Sequence, residues 1–301
     1  MKRRSRRWRA VLALVATATM LALALRAVDT ARLAVLGTEL RWGWVAAAAA
    51  LVPVQVLLAA TRWRRVSNRL GQALSRRLAV EEYALSTLLN GLLPAGVGGD
   101  ALRIWRRRRG GFVTALQAAV VERWTGQLCL AVVAVLSAAA WPALAPQAPR
   151  SAGLLPALIV VLAVLATLPL LPRALPGLGA LARAAHQGAL SDWPALAGLS
   201  LSLLASFVVG FLAAGLSLGH PPGVELLLAI PVLLVAMAVP LGVGGWGPRE
   251  LTAVTVLPLF GWTRTDAFAL SALYGLACLV GAIPGAIVPL RTLADELRHG
   301  R

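Results

Sequence analysis

The sequence predicts an all-α polytopic membrane protein, with six full spans and two re-entrant half-helix hairpins in an inverted repeat. Three observations carry this: the composition, the lengths of the apolar runs, and a Gly-rich pattern that occurs twice. Of 301 residues, 59% are apolar and only 14% are charged, against about 25% charged in soluble domains. Such a chain cannot clothe a water-facing surface, and it is far too apolar for disorder. The net charge of +17 does not mark a nucleic-acid binder, because the Lys and Arg cluster in short stretches between apolar runs. That distribution marks cytoplasmic loops and contacts with anionic headgroups.

A helix needs about 20 apolar residues to cross the hydrocarbon core. Six runs meet or approach this: residues 8–25, 42–60, 112–141, 152–171, 193–218 and 267–290. Trp8, Trp42, Trp141 and Trp193 stand at or near their ends, as interface anchors do. The first run has a basic start, like a signal peptide, but its counterpart later in the chain argues for a span. Two further stretches are interrupted. Residues 83–104 are broken at 94–99, and residues 224–262 at 240–245. The piece after the second break, 251–262, would reach about 18 Å as a helix, short of the ~30 Å core. Each stretch therefore reads as a hairpin of two half-helices.

The breaks share a pattern. Pro94, Gly96, Val97, Gly98, Gly99 and Arg103 match Pro240, Gly242, Val243, Gly244, Gly245 and Arg249 at an offset of 146. The same offset carries the first three spans onto the last three, so one transmembrane domain divides into halves 1–147 and 148–301. Three crossings per half force the second half upside down. With the N-terminus in the cytoplasm, stretches 1–9, 61–82, 103–111, 172–192 and 291–301 are cytoplasmic and hold 22 of the 29 Lys and Arg. Both termini are then cytoplasmic, in a multi-pass protein of the plasma membrane.

Gly-rich breaks free backbone N–H groups, which are costly in lipid unless they line a wet cavity or bind a ligand. A glycine turn at a half-helix N-terminus suits an anion. Arg103 or Arg249, one turn on, adds a bidentate phosphate fork. Alternatively the glycines only let helices pack closely, but two equivalent breaks, each with an arginine, favour a ligand site. Glu122 and Arg123 lie within the fourth apolar segment. An intramembrane ionisable pair is a functional-site candidate, unless Arg123 snorkels to the interface and Glu122 pairs with it or with Arg103. Asp100 and Glu250 bind a cationic group, carry a proton, or balance the arginines. Asn90 caps the hairpin or touches the ligand. The candidate substrate-binding set is thus Asn90, Gly96, Gly98, Gly99, Asp100, Arg103, Glu122, Arg123, Gly242, Gly244, Gly245, Arg249 and Glu250.

Arg106 to Arg109 read as a solvated topogenic loop, with anionic-lipid binding second. Three histidines and two cysteines, Cys129 and Cys278, form no cluster of metal-ligand spacing. Without a Walker loop or a nucleophile elbow, neither a cofactor nor an enzymatic activity is expected.

The stretch from Asn90 to Arg103, the Glu122 and Arg123 pair, and the block from Pro240 to Glu250 with Gly247 resemble the flippase-like integral membrane family. This is the transmembrane region of lysylphosphatidylglycerol synthase, or multiple peptide resistance factor. The likeness covers nearly the whole chain. It implies movement of lipids between leaflets. The chain carries no soluble aminoacyltransferase domain, so the synthase activity is not transferred. Asp100 stands where many members carry glutamate or another residue, and the resemblance gives it no role. The expected function is flipping of a phosphate-bearing lipid or lipid-linked substrate. The alternatives are a non-transporting partner that binds anionic lipid and serves a separately encoded lipid-modifying enzyme, or a secondary transporter of a small anion. The sequence leaves a homo-oligomer open.

Overall fold

The computed structural model describes residues 2–93, 96–146, 153–170, 177–239 and 242–288. Pro94 and Pro240, which anchor the repeat pattern, lie outside the described residues, as do 291–301 and the link at 171–176. Within the described residues the chain is helical, with a single isolated bridge between Val243 and Trp246. In order the helices are α1 (Lys2–Leu25), α2 (Thr30–Thr38), α3 (Trp42–Arg69), α4 (Arg76–Leu92), α5 (Gly98–Arg107), α6 (Phe112–Leu144), α7 (Leu154–Ala166), α8 (Leu178–Gly188), α9 (Trp193–Ser217), α10 (Val224–Ala238), α11 (Pro248–Val256) and α12 (Arg264–Ala282).

Ionisable side chains sit in the interior, among a mostly apolar core, and large aliphatic side chains cover much of the outside. Leu12, Leu136, Val160 and Val164 are exposed, while Arg103, Arg249, Glu122 and Glu250 are among the most deeply buried side chains. Water-soluble proteins reverse that order; a surface of aliphatic side chains suits hydrocarbon. Four stretches are long and apolar enough to cross a bilayer: Trp42–Arg69, Phe112–Leu144, Leu178–Ser217 and Arg264–Ala286. A fifth arises if Val11–Leu25 and Thr30–Thr38, bent by 91°, count together. The chain is a multi-pass membrane protein. The expected span at 152–171 is represented by the shorter apolar stretch Leu154–Leu170.

Two boundaries differ from the sequence reading. The first concerns 61–82, expected as a cytoplasmic stretch. Here α3 continues to Arg69 and α4 starts at Arg76, leaving a connection of only 70–75. Gln55, Ala59, Arg62 and Val66 recur at helical spacing and are all buried, so the helix has an inward face past residue 60 despite its charges. Ser75 then caps α4 by accepting from the Leu78 N–H at 3.3 Å. The second concerns 251–262. Helix α11 begins earlier, with Pro248 in its first turn, and gives way at Leu257 to a 3₁₀ turn containing Pro258.

Both breaks are helix–break–helix units that fold back on themselves. Helix α4 packs on α5, and α10 on α11. Gly99 lies against the Ser86 backbone so closely that a Cβ there would overlap it. The Ser86 hydroxyl donates to the Gly99 carbonyl at 2.9 Å.

Shifting α4 by 146 gives 222–238, nearly the bounds of α10, and shifting α3 gives 188–215, close to α9. The contacts repeat as well. Helix α3 packs on α12 as α9 packs on α6, and α4 packs on α12 as α10 packs on α6. The pair α3 and α9 meets at the centre. Helix α1 departs from this scheme: it packs on α11 of the second half.

Candidate functional site

The charged residues of the first half gather round one carboxylate. Glu122, on α6, is fully buried. Its Oε1 accepts from Arg62 Nε of α3 at 2.9 Å and from the Tyr83 hydroxyl of α4 at 3.3 Å. Arg62 Nη2 adds a closer contact to the same oxygen. Arg103 Nη2 of α5 reaches Oε2 at 3.4 Å. Four helices therefore meet at Glu122. Arg123, next to Glu122 in sequence, turns away from it. It pairs with Asp100 at the start of α5 and donates to the Gly96 carbonyl at 3.3 Å. Asp100 Oδ1 also accepts from Arg103 Nη2 at 2.9 Å. The Arg103 guanidinium lies 4.3 Å from the centre of the Trp63 ring and 4.6 Å from that of Tyr83. Burial strengthens such cation–π contacts.

In the second half, Arg249 Nε donates to Glu250 Oε1 at 2.9 Å and to the Ser271 hydroxyl at 3.0 Å. Ser271 in turn donates to the same Glu250 oxygen at 3.0 Å. The guanidinium faces Trp246 at 4.9 Å and Tyr274 at 5.6 Å. Each half thus holds a fully buried arginine between carboxylate and two aromatic rings. Only the arginine occupies repeat-equivalent positions; the surrounding groups come from different places.

Several N–H groups of the breaks, expected to be available to an anion, are already bonded to the protein. Asn90 Oδ1 accepts from Gly99 at 2.7 Å, so Asn90 caps the first hairpin. Glu250 Oε2 accepts from Gly247 at 2.7 Å. Thr17 of α1 accepts from Val243 at 3.0 Å.

Between the hairpins lies a cavity of about 350 Å³. Arg62, Asn90, Gly96 and Arg123 line it from one half, and Gly242, Gly244, Gly245 and Arg249 from the other. The hairpins meet at its edge: Gly244 has φ 57° and presses on the Gly91 carbonyl, where no side chain has room. Gln127 and Leu130, on the face of α6 below Arg123, continue the wall. Arg103, expected to face the cavity beside Arg249, stands behind this wall with Asp100 and Glu122; Arg62 and Arg123 face the space instead.

A transmembrane shell of this shape, with paired arginine-bearing breaks at its centre, fits one comparison. The family model described as lysylphosphatidylglycerol synthase TM region matches residues 10–285. The chain belongs to the lysylphosphatidylglycerol synthase transmembrane-region family. No curated protein and no solved structure matches the chain. The match spans both hairpins, α1 and α12, so every group in the two arginine clusters lies within the family region.

Six participants in the two arginine clusters escaped the sequence reading: Arg62, Trp63, Tyr83, Trp246, Ser271 and Tyr274. For Arg62 a signal existed, in its helical spacing from Gln55 and Ala59. The aromatic and hydroxyl partners carry no such mark, because their roles depend on how separate helices pack. Among the described residues no group of His, Cys, Asp and Glu is arranged to hold a metal.

Proposed function

We propose that this member of the lysylphosphatidylglycerol synthase transmembrane-region family moves a phosphate-bearing lipid between leaflets, its headgroup passing through the cavity between the hairpins. The observation that carries this reading is the charge at the cavity. The first-half network holds three guanidinium groups, Arg62, Arg103 and Arg123, against two carboxylates, Asp100 and Glu122. One positive charge is left over in a low-dielectric setting, where uncompensated charge is costly. A phosphodiester headgroup, a monoanion, balances it. The cavity has room for a headgroup but not for acyl chains, which would remain in the lipid.

In this reading the molecule has six spans and two hairpins that enter the bilayer from opposite sides. The halves are inverted, both termini are cytoplasmic, and the protein resides in the plasma membrane. The repeated contacts around α3 and α9 support an alternating exposure of the central site. The protein itself carries out no covalent chemistry.

The test is transfer of a fluorescent phospholipid across proteoliposome bilayers without ATP. Movement above that of protein-free vesicles is expected. Folded protein that moves no lipid, yet binds a co-encoded lipid-modifying enzyme tightly, overturns the transport reading in favour of a scaffold.

A further inference from the structure

Arg123 differs from the other two guanidinium groups of its network. Arg62 and Arg103 side chains are nearly fully buried, whereas the Arg123 side chain is 42% exposed and lines the cavity. Its carboxylate partner, Asp100, is held twice, by Arg123 through one oxygen and by Arg103 through the other. If Arg123 lets go, Asp100 remains neutralised by Arg103. Arg123 can therefore exchange its anion without stranding a buried charge, and Arg62 and Arg103 cannot release Glu122 on the same terms. Asp100 sits in the first turn of α5 and Arg123 on α6, so this ion pair, together with Arg103 and Glu122, fastens the first hairpin to the neighbouring span.

We propose that Asp100 is a resident stand-in for the ligand: its carboxylate occupies the anion seat of Arg123, and an incoming phosphodiester displaces it. The inference rests on the lipid-headgroup reading and adds the seat and the event that binding triggers. Entry of the phosphate brings the network to three negative charges against three positive. It also removes one of the two ion pairs between α5 and α6, the one at the start of α5, so occupancy of the cavity and loosening of the hairpin mouth become one step. The Gly96 carbonyl, which shares the Arg123 guanidinium, loses or keeps its bond according to how far the hairpin moves.

The experiment measures binding calorimetrically with the full chain in detergent. The probes are dihexanoyl phosphatidylglycerol and inorganic phosphate. The variants are Asp100→Asn, Asp100→Ser, Arg123→Gln, and Asp100→Asn combined with Arg123→Gln. Removing the internal competitor should tighten the short-chain lipid roughly tenfold or more, since a charge-assisted contact is no longer surrendered. Serine is small, polar and uncharged and should act in the same direction if the asparagine variant folds poorly. Arg123→Gln should weaken binding by at least about tenfold, and the double variant should bind as Arg123→Gln does, because the gain needs Arg123. Affinity unchanged or reduced in both folded Asp100 variants overturns the stand-in role while leaving the lipid reading intact. A wild-type chain that binds neither probe overturns both. Lipid bound much more tightly than phosphate identifies a lipid source for the anion; equal binding keeps the seat but assigns it to a free anion.

Discussion

A carboxylate shut away from water needs cations, and Glu122 has Arg62 and Arg103 beside it. Removing one member of a buried pair leaves the other charge uncompensated, at a cost of about 3–5 kcal/mol. Glu122→Gln should therefore lower the thermal unfolding midpoint of the detergent-solubilised protein strongly. Replacing Arg62 as well, in Arg62→Met/Glu122→Met, removes one charge of each sign and leaves Arg103 with Asp100. That double variant should regain most of the lost stability without regaining lipid transfer. If it unfolds as readily as Glu122→Gln, the cluster is held by packing rather than by charge. The acidic and basic residues of this cluster were conspicuous in the sequence because each interrupts an apolar run. Their pairing was not, since neighbours in sequence such as Glu122 and Arg123 point to different helices. Arg62 was hidden for the opposite reason: it follows an apolar run already long enough to span, and so resembles the start of a loop.

At the scale of elements, the hairpins owe their closure to contacts at which a side chain has no room. The backbone of α5 approaches that of α4 at Gly99 and Ser86. A branched side chain at this contact must part the half-helices, and overpacking of this kind costs about 1–3 kcal/mol. Gly99→Val should reduce both folded yield and lipid transfer, whereas Ser86→Ala, which deletes one hydrogen bond, should cost only about 1 kcal/mol. Unfolding midpoints of the two purified variants check the order; a Gly99→Val midpoint equal to wild type removes the close contact from the account. The breaks themselves were legible because each gathers three glycines and a proline within six residues, whereas the isolated Pro53, Pro142 and Pro231 stay inside helices. The extension of α3 to Arg69 was not. A helix leaving the membrane keeps its inward face while its outward face turns charged, and a window average over both faces reads as loop.

For the whole molecule, the orientation in the bilayer follows from where charge accumulates. The Arg106 to Arg109 run ends α5 and the turn after it, and Arg264 begins α12. The proposed topology places Arg107 on the cytoplasmic face and Arg264 on the other. In a background with Cys129 and Cys278 changed to serine, Arg107→Cys should be shielded from an impermeant thiol reagent in intact cells, and Arg264→Cys should react. Labelling of Arg107→Cys from outside reverses or abolishes the inverted arrangement. Helix α1 supplies Thr17 to the second break; among the described residues α7 makes no matching contact with the first.

The meeting of Gly244 with the Gly91 carbonyl has a consequence for the cell's energy economy. Gly91 and Gly244 both line the cavity, and their backbones touch there. Any protein that passes a charged group through a bilayer must avoid short-circuiting the ion gradients that the bilayer stores; in the proposed transport reading, the glycine contact is the predicted seal. Gly244→Leu would wedge the tips apart, both by its bulk and by its unfavourable positive φ. Vesicles containing that variant and a trapped pH-sensitive dye should lose an imposed proton gradient faster than vesicles with the same amount of folded wild-type protein. Equal rates of decay would place the seal elsewhere along the cavity.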